Sequence, residues 1–200
     1  MIIKSLLPLL AATFVLTALR GVEAKPPKPS VSHSKPKVSQ PEQPKWKVFT
    51  PPDKRFTILM PGLPQTESQS QKTYMGEIKL QVFMAKPPKQ EVAYIVTYND
   101  FPNSYAQMAN PQKIFQNVQA MALKTTQSKL VNQRNIRSSN GHPGKEIEYI
   151  NSIGKITKNR MYLAEGRLYQ VMVITTREQR KTLEKTMTGY LNSFQIVLKK

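Results

Sequence analysis

The chain has 200 residues, with 30 Lys and Arg against 12 Asp and Glu, and it contains no cysteine. This length provides one domain with appended segments. The missing cysteines exclude disulfides, thiolate catalysis and cysteine-based metal sites. The excess of positive charge favours anionic partners or surfaces and does not define the fold.

Residues 1–24 have the pattern of a secretory signal peptide. Lys4 provides a positive start, an apolar run follows from Ser5 to Leu19, and Ala24 closes a cleavage site. The run is shorter than the ~20 apolar residues that span a membrane. We therefore expect an exported protein with no transmembrane span in its mature form. A leader retained as a membrane anchor is the alternative.

Residues 25–45 are dominated by lysine, proline and serine, with five lysines against Glu42. Such a segment cannot bury enough apolar surface to offset the entropy lost on ordering, so it predicts an extended linker. We interpret it as a spacer, and an electrostatic arm toward an anionic surface is the alternative. His33 lies in this linker with no ligand set beside it.

A globular domain is predicted for residues 46–200, where strand patterns are interrupted by two helical ones. Strands are predicted around Phe56–Met60, Ile78–Met84, Glu91–Tyr98, Leu130–Arg137, Lys145–Ile150, Ile156–Ala164, Leu168–Thr175 and Phe194–Leu198. Those around Glu91–Tyr98 and Leu168–Thr175 are apolar on both faces, which is typical of central strands. The Ile78–Met84 strand is expected to be half exposed. A tight Glu165-Gly166 turn joins two of the strands into a hairpin.

The two helices are predicted from their start signals and apolar stripes. Asn110 can cap the first helix, with Pro111 at its first position. The second begins with Thr176 and Gln179 in a capping box, and Gly189 costs it roughly 1 kcal/mol against alanine. A mainly antiparallel central sheet of six or seven of these strands, with two main helices, predicts an α+β domain arranged as an α/β/α sandwich.

Several of these segments resemble a known group of domains. WKVF (46–49) followed by FTILMPGLP (56–64) resembles the start of a bacterial PsbP-like domain, and RMYL (160–163) with GRLYQV (166–171) and YLNSF (190–194) resembles the same group. Photosystem II extrinsic subunits and the Ran-binding Mog proteins share this fold. The resemblance implies an accessory or binding protein of an extracytoplasmic or lumenal compartment, and the bacteria that contain such proteins include cyanobacteria. It carries over no catalytic residues, and no metal-ligand set like that of a photosystem subunit is visible.

Catalytic candidates in the domain are few. His142 lies in a turn before Pro143, and catalysis or metal binding would need further convergent ligands, so we interpret it as a solvated or turn-packing histidine. Glu146 and Glu148 share one face of a strand, and acid–base chemistry would need one of them to be buried or otherwise to have a perturbed pKa. We expect instead an exposed strand face. The sequence thus predicts no catalytic residue, no metal site, no cofactor and no enzymatic activity.

A binding site is predicted on the hairpin. Arg160 and Tyr162 alternate on its first strand, and Arg167 and Tyr169 alternate on its second. If the four share a face, they form a basic, aromatic patch suited to a carboxylate, a phosphate or an acidic loop. In the alternative interpretation, the tyrosines pack beneath a helix while the arginines extend to solvent.

The charge of the domain suggests the class of partner. From Trp46 onward there are 23 basic and 10 acidic residues. Nucleic acid is a common partner for such charge, but the export signal and the missing nucleic-acid motifs argue against it. We predict an exported accessory protein that binds an acidic protein or an anionic envelope surface, in the periplasm, outside the cell or in the thylakoid lumen. One alternative is a photosystem-associated accessory protein. The other is a small extracytoplasmic enzyme or ligand-binding protein, with a pocket converging on His142 or on the two glutamates.

Overall fold

The structure, a computed structural model, describes residues 44–73, 76–102 and 110–198. The predicted leader and residues 25–43 of the linker, with His33, lie outside the described residues. Neither of the two helices in the described ranges has the length and apolar character needed to cross a membrane.

The described part of the chain contains ten strands and two helices. They are β1 (Trp46–Phe49), β2 (Phe56–Pro61), β3 (Gln65–Thr73), β4 (Gly76–Ala85), β5 (Val92–Asp100), α1 (Pro111–Thr125), β6 (Ser128–Arg137), β7 (Pro143–Asn151), β8 (Ile156–Ala164), β9 (Arg167–Thr175), α2 (Arg177–Asn192) and β10 (Gln195–Ile196).

Seven of these strands form one large antiparallel sheet in the order β3-β4-β5-β9-β8-β7-β6. The first three strands are consecutive hairpins. The chain then crosses through α1 to the far edge at β6 and returns strand by strand until β9 pairs with β5. All nine residues of β9 are buried. This confirms the predicted α+β class and the predicted antiparallel sheet with two main helices.

Both faces of the large sheet are covered. Tyr169, Val171 and Val173 of β9 point to a core shared with α2 and with β2. The intervening residues Leu168 and Met172 point to the opposite face, where α1 packs over β6 and β7. The layers are therefore α1, the large sheet, and a layer made of α2 and a second, small sheet.

The small sheet consists of β1, β2 and β10, in the order β1-β2-β10 and antiparallel throughout. Its central strand carries Phe56, whose ring centroid lies 5.5–6.3 Å from those of Phe49, Phe83, Tyr98, Tyr169 and Phe194. Aromatic contacts at these distances stabilise a core beyond the area they bury. Phe56 therefore joins the small sheet to the large one.

The structure adds elements that the sequence pattern did not predict. Strand β3 pairs with β4 along its whole length, yet its sequence QTESQSQKT contains no apolar residue to signal a strand. Strand β1 is only four residues long, and Gln195–Ile196 is all that is regular in the predicted last strand. The expectation that β4 is half exposed was wrong at Phe83, which is buried in the α2-side core.

The predicted caps and turn are present. The Asn110 side chain accepts a hydrogen bond from the Gln112 N–H at 2.9 Å, and the Thr176 hydroxyl accepts one from the Gln179 N–H at 3.3 Å. In the β8–β9 turn, Gly166 has φ 72°. Positive φ is what a two-residue hairpin turn with the right twist requires.

Two glycines give opposite predictions for stability. A Cβ on Gly144 would lie 2.6 Å from the Met161 carbonyl oxygen and 2.7 Å from the Tyr162 ring, whereas a Cβ on Gly189 would contact nothing within 4 Å. Gly144→Ala should lower the free energy of unfolding by about 2–3 kcal/mol through overpacking. Gly189→Ala should raise it by about 0.5–1 kcal/mol by removing a flexible residue from a helix. Urea unfolding measures both, and equal effects would contradict the assigned positions of β7 and α2.

Candidate functional site

The four predicted binding residues lie on one face of the β8–β9 hairpin. Tyr162 is directly opposite Tyr169, Arg160 is opposite Val171, and Arg167 is opposite Ala164. This face is the one that α2 and the small sheet cover. Because four residues separate 160 from 164, the two arginines are roughly 14 Å apart along the hairpin. Each belongs to a different cluster of charges.

The two tyrosines pack in the α2-side core. Tyr162 stacks on Phe194 with a centroid distance of 5.6 Å and an interplanar angle of 16°. Tyr169 is fully buried, and its hydroxyl donates to the Arg55 carbonyl at 3.4 Å. Burial raises the pKa of Tyr169, so its hydroxyl stays protonated. Both rings contribute packing area to the domain interior.

Arg167 is enclosed by carboxylates and an aromatic ring. Its Nε and Nη2 donate to the two oxygens of Asp100 at 2.6 and 2.7 Å, and its Nη1 donates to Asp53. Its Cζ lies 3.8 Å from the centroid of the Tyr98 ring. Burial alone would lower the pKa of Arg167, but the hydrogen bonds that it donates to Asp100 and Asp53 raise it. The guanidinium is therefore permanently charged and fully engaged.

Arg55 completes this group. Its Nη2 donates to Glu165 at 2.7 Å, and its Nη1 lies 3.5 Å from Asp100. We call Asp53, Arg55, Asp100, Glu165 and Arg167 the hairpin cluster. It connects the start of β2, the end of β5 and the β8–β9 turn, three segments that are distant in the sequence.

Glu146 and Glu148 share one face of β7, but the expectation that this face is exposed was wrong. The two side chains are buried, because arginines from three neighbouring elements lie across the face. Glu146 accepts from Arg134 Nε at 2.8 Å and from Arg160 Nε at 2.6 Å, and Glu148 accepts from Arg180 at 2.6 and 3.2 Å. We call these five residues the face cluster.

The face cluster is poorly suited to acid–base chemistry. Burial alone would raise the pKa of Glu146, but the hydrogen bonds from Arg134 and Arg160 outweigh it and lower the pKa. A general acid needs the opposite shift. The pocket lined by Glu146 and Glu148 measures about 30 Å³, comparable to the ~30 Å³ that one water occupies in the liquid.

His142 is a turn residue. Its backbone N–H donates to the Ser138 hydroxyl at 3.0 Å, and its carbonyl accepts from the Ser138 N–H at 3.0 Å. Its side chain is half buried. Within the described ranges, no group of three or more His, Asp or Glu side chains is arranged to hold a metal ion.

Arginine and lysine are used differently in this domain. Arg55, Arg134, Arg160, Arg167 and Arg180 each bind a carboxylate. Ten lysines are exposed and form no ion pair in the described part of the chain: Lys45, Lys47, Lys54, Lys79, Lys89, Lys113, Lys124, Lys129, Lys181 and Lys185. Arginine suits bidentate, partly buried pairs, whereas lysine is a strongly hydrated point charge.

The net charge of the sequence did not reveal this division. The available signal was position. Arg160 and Arg167 lie in strands and directly precede the apolar residues Met161 and Leu168, whereas Lys113, Lys181 and Lys185 lie off the apolar stripes of their helices. The candidate functional surface is therefore the lysine exterior, held in place by the two arginine clusters.

Comparison with known proteins identifies the fold. No family model matches the chain, and no curated protein matches its sequence. The solution structure of cyanobacterial PsbP (CyanoP) from Synechocystis sp. PCC 6803 is similar, with a TM-score of 0.55 and 11% identity over 82% of this chain and 98% of that chain. A crystal structure of PA94, a Pseudomonas aeruginosa protein of unknown function, aligns with a TM-score of 0.44 and 12% identity over 67% and 99% of the two chains. The similarity to CyanoP confirms the predicted PsbP-like fold.

The hairpin cluster predicts a specific loss of stability. Arg167→Met leaves Asp53 and Asp100 without their main partner and should lower the free energy of unfolding by about 2–3 kcal/mol. Arg167→Lys should recover less than half of this, because an ammonium cannot replace the bidentate guanidinium. Arg177→Met, at an exposed position of α2, is the matched control and should stay within about 0.5 kcal/mol. An equally small effect at Arg167 would mean that the cluster is only a surface ion pair.

The face cluster predicts a dependence on pH. The pKa of Glu146 is lower in the folded than in the unfolded chain, so its stabilising contribution is complete above the ordinary value of 4.5. It is lost as the pH falls through the folded pKa. Unfolding free energies measured between about pH 6 and pH 3 should fall less steeply in Glu146→Gln than in the wild type. Parallel pH profiles would contradict a depressed pKa for Glu146.

Proposed function

We propose that this chain is an exported, non-enzymatic accessory protein that binds an anionic component of the envelope through its exposed lysines. The observation that carries this proposal is the separation of charges in the domain. Arginine pairs neutralise Asp53, Asp100, Glu146, Glu148 and Glu165 in place. The ten exposed lysines therefore outnumber the other exposed carboxylates of the described ranges, which are Glu67, Glu77, Glu91, Glu178 and Glu184. A surface with this excess of positive charge attracts anionic partners at long range.

The fold is consistent with an accessory role. A PsbP-like domain is the fold of the cyanobacterial PsbP to which this chain is similar. Because one fold can carry many functions, this similarity supports an accessory role but does not identify a partner. The leader pattern in residues 1–24 favours the periplasm, the extracellular space or, in a photosynthetic source, the thylakoid lumen.

Two features favour binding over catalysis. The pKa of Glu146 is shifted away from the value that a general acid needs. A pocket of about 110 Å³ is lined by Lys86, Gln90, Glu91, Val92, Ala93, Lys155 and Ile174, none of which is a histidine. Typical sites for small molecules are clefts of about 300–1,000 Å³.

Arg160, Tyr162, Arg167 and Tyr169 as direct binding residues stay a prediction. An acidic ligand would have to compete with Glu146 for Arg160, or with two aspartates for Arg167. In our proposal these arginines position the strands that carry the lysines, and the lysines make the contacts.

The proposal is tested with the exported chain, Lys25–Lys200, and the envelope fraction of its source organism. We expect capture at low salt that is lost at high salt, because salt screens exposed charges. A variant with Lys45, Lys47 and Lys54 changed to Gln should bind at least about tenfold more weakly. Gln112→Asn with Gln116→Asn, at exposed positions of α1, is the uncharged control and should bind normally.

Three outcomes would count against this function. Capture that persists at high salt would show that binding does not depend on the positive charge. Equal binding of the lysine variant and the control would show that the lysines make no contact. If Arg160→Met weakens capture without lowering the free energy of unfolding, the binding site is the hairpin face and not the lysine exterior.

A further inference from the structure

Exposed apolar side chains are concentrated on one part of the domain. Seven large apolar residues of the described ranges are exposed. Five lie on or directly beside the small sheet: Val48, Leu59, Leu63, Val197 and Leu198. The other two, Val131 and Ile153, lie apart from it in β6 and in the β7–β8 turn. Scattered exposed apolar residues need no explanation, but a concentration of them on one element marks an interaction surface.

The geometry of the small sheet turns these residues outward. Val48 is directly opposite Leu59 in the β1–β2 ladder, and the neighbours Ile58 and Met60 point into the core. Since side chains alternate along a strand, Val48 and Leu59 occupy the outer face. Leu63 follows the turn after β2 and is 93% exposed.

The other side of the small sheet contributes further apolar groups. Val197 continues β10 and donates its N–H to the Arg55 carbonyl at 2.9 Å. Its neighbour Ile196 is buried opposite Phe56, so Val197 points outward. The outer face of β2 therefore has aliphatic side chains on both of its flanks.

The charges around this face have one sign. Lys45 and Lys54 are exposed just before β1 and β2, and Lys47 is exposed on β1, opposite Met60. Residues 44–64 and 193–198 contain a single carboxylate, Asp53, and Arg167 already binds it. The described charges beside the small sheet that form no ion pair are therefore positive.

We infer that the outer face of the small sheet docks on an anionic lipid bilayer, with Val48, Leu59 and Leu63 entering the headgroup region and the surrounding lysines contacting lipid phosphates. This inference rests on the proposed function and names its anionic component. Stable attachment to a membrane surface takes two weak signals, such as apolar insertion and a polybasic segment. Here Val48, Leu59 and Leu63 supply the apolar groups, and Lys45, Lys47 and Lys54 supply the positive charge.

The composition of the face favours lipid over a protein partner. Protein interfaces are enriched in exposed aromatic residues and arginine and are depleted in lysine. Here the exposed apolar side chains are aliphatic and the exposed charges that form no ion pair are lysines, while the nearby Arg55 and Arg167 are buried and bind carboxylates. At a bilayer surface, the lysines can contact the lipid phosphates while the aliphatic side chains beside them contact the acyl chains.

The test is co-flotation of Lys25–Lys200 with vesicles of phosphatidylglycerol and phosphatidylcholine, and with vesicles of phosphatidylcholine alone. We expect binding to the anionic vesicles and at least tenfold weaker binding to the neutral ones. Val48→Ser with Leu63→Ser should weaken binding to anionic vesicles about tenfold. Val131→Ser with Ile153→Ser removes two equally exposed apolar groups elsewhere and should have no effect.

The contribution of the lysines is tested with a second pair of variants. Lys45→Gln with Lys47→Gln should weaken vesicle binding and flatten its salt dependence, whereas Lys113→Gln with Lys124→Gln on α1 should change it little. All four variants replace exposed side chains, and urea unfolding verifies that each is folded.

The outcomes separate the inference from the proposed function. Equal losses in each pair of variants, or failure to bind anionic vesicles, overturns lipid docking by this face. If vesicle binding fails while salt-sensitive capture of an envelope protein persists, the proposed function stands and its partner is an acidic protein. If both fail, both proposals fall.

Discussion

Strand β9 is buried along its whole length, and the rest of the domain is arranged around that constraint. A strand at the centre of a sheet needs cover on both faces. One face receives α2 and the small sheet, and α1 packs on the other side of the large sheet. The polar residues of β9 then require partners inside the protein: Arg167 binds two aspartates, and Gln170 accepts a hydrogen bond from Asn159 at 2.9 Å.

That requirement explains how charge is distributed. Arg55 and Arg167 are buried because a guanidinium can satisfy carboxylates with several donors. Together with Arg134, Arg160 and Arg180 they neutralise the carboxylates of both clusters. What remains outside is mainly lysine. The same ion pairs that hold the hairpin and α2 in place thus give the domain its basic exterior, so folding and recognition use different cations.

The regular core was predictable from the sequence because its signals are local. Runs of residues that are apolar on both faces located β5 and β9, and the caps at Asn110 and Thr176 located both helices. Strand β3 carried no such signal, since this purely polar edge strand is held by backbone pairing and by polar contacts such as the hydrogen bond from Gln81 to the Ser68 hydroxyl. The PsbP-like fold was recognised from short packing and turn segments, and the similarity to CyanoP at 11% identity confirms it.

The charge clusters could not be predicted from patterns of neighbouring residues in the sequence. Arg167 lies 67 residues from Asp100 and 114 from Asp53 in the sequence. Glu146 and Glu148 alternate with apolar residues, a pattern typical of an exposed face, and the arginines that cover them come from β6, β8 and α2. Periodicity assigns a residue to a face, but only the tertiary arrangement determines what lies over that face.

The position of the small sheet also determines how the domain carries mechanical load. Strands β1 and β10 pair with opposite sides of β2, and neither belongs to the large sheet. Both run antiparallel to β2, so tension between the linker and the segment after β10 loads these ladders in shear. The β2–β10 ladder has two residue pairs and the β1–β2 ladder has four. We expect the hydrogen bonds of the shorter ladder to break first. The small sheet then comes apart while β9 and its neighbours keep their register.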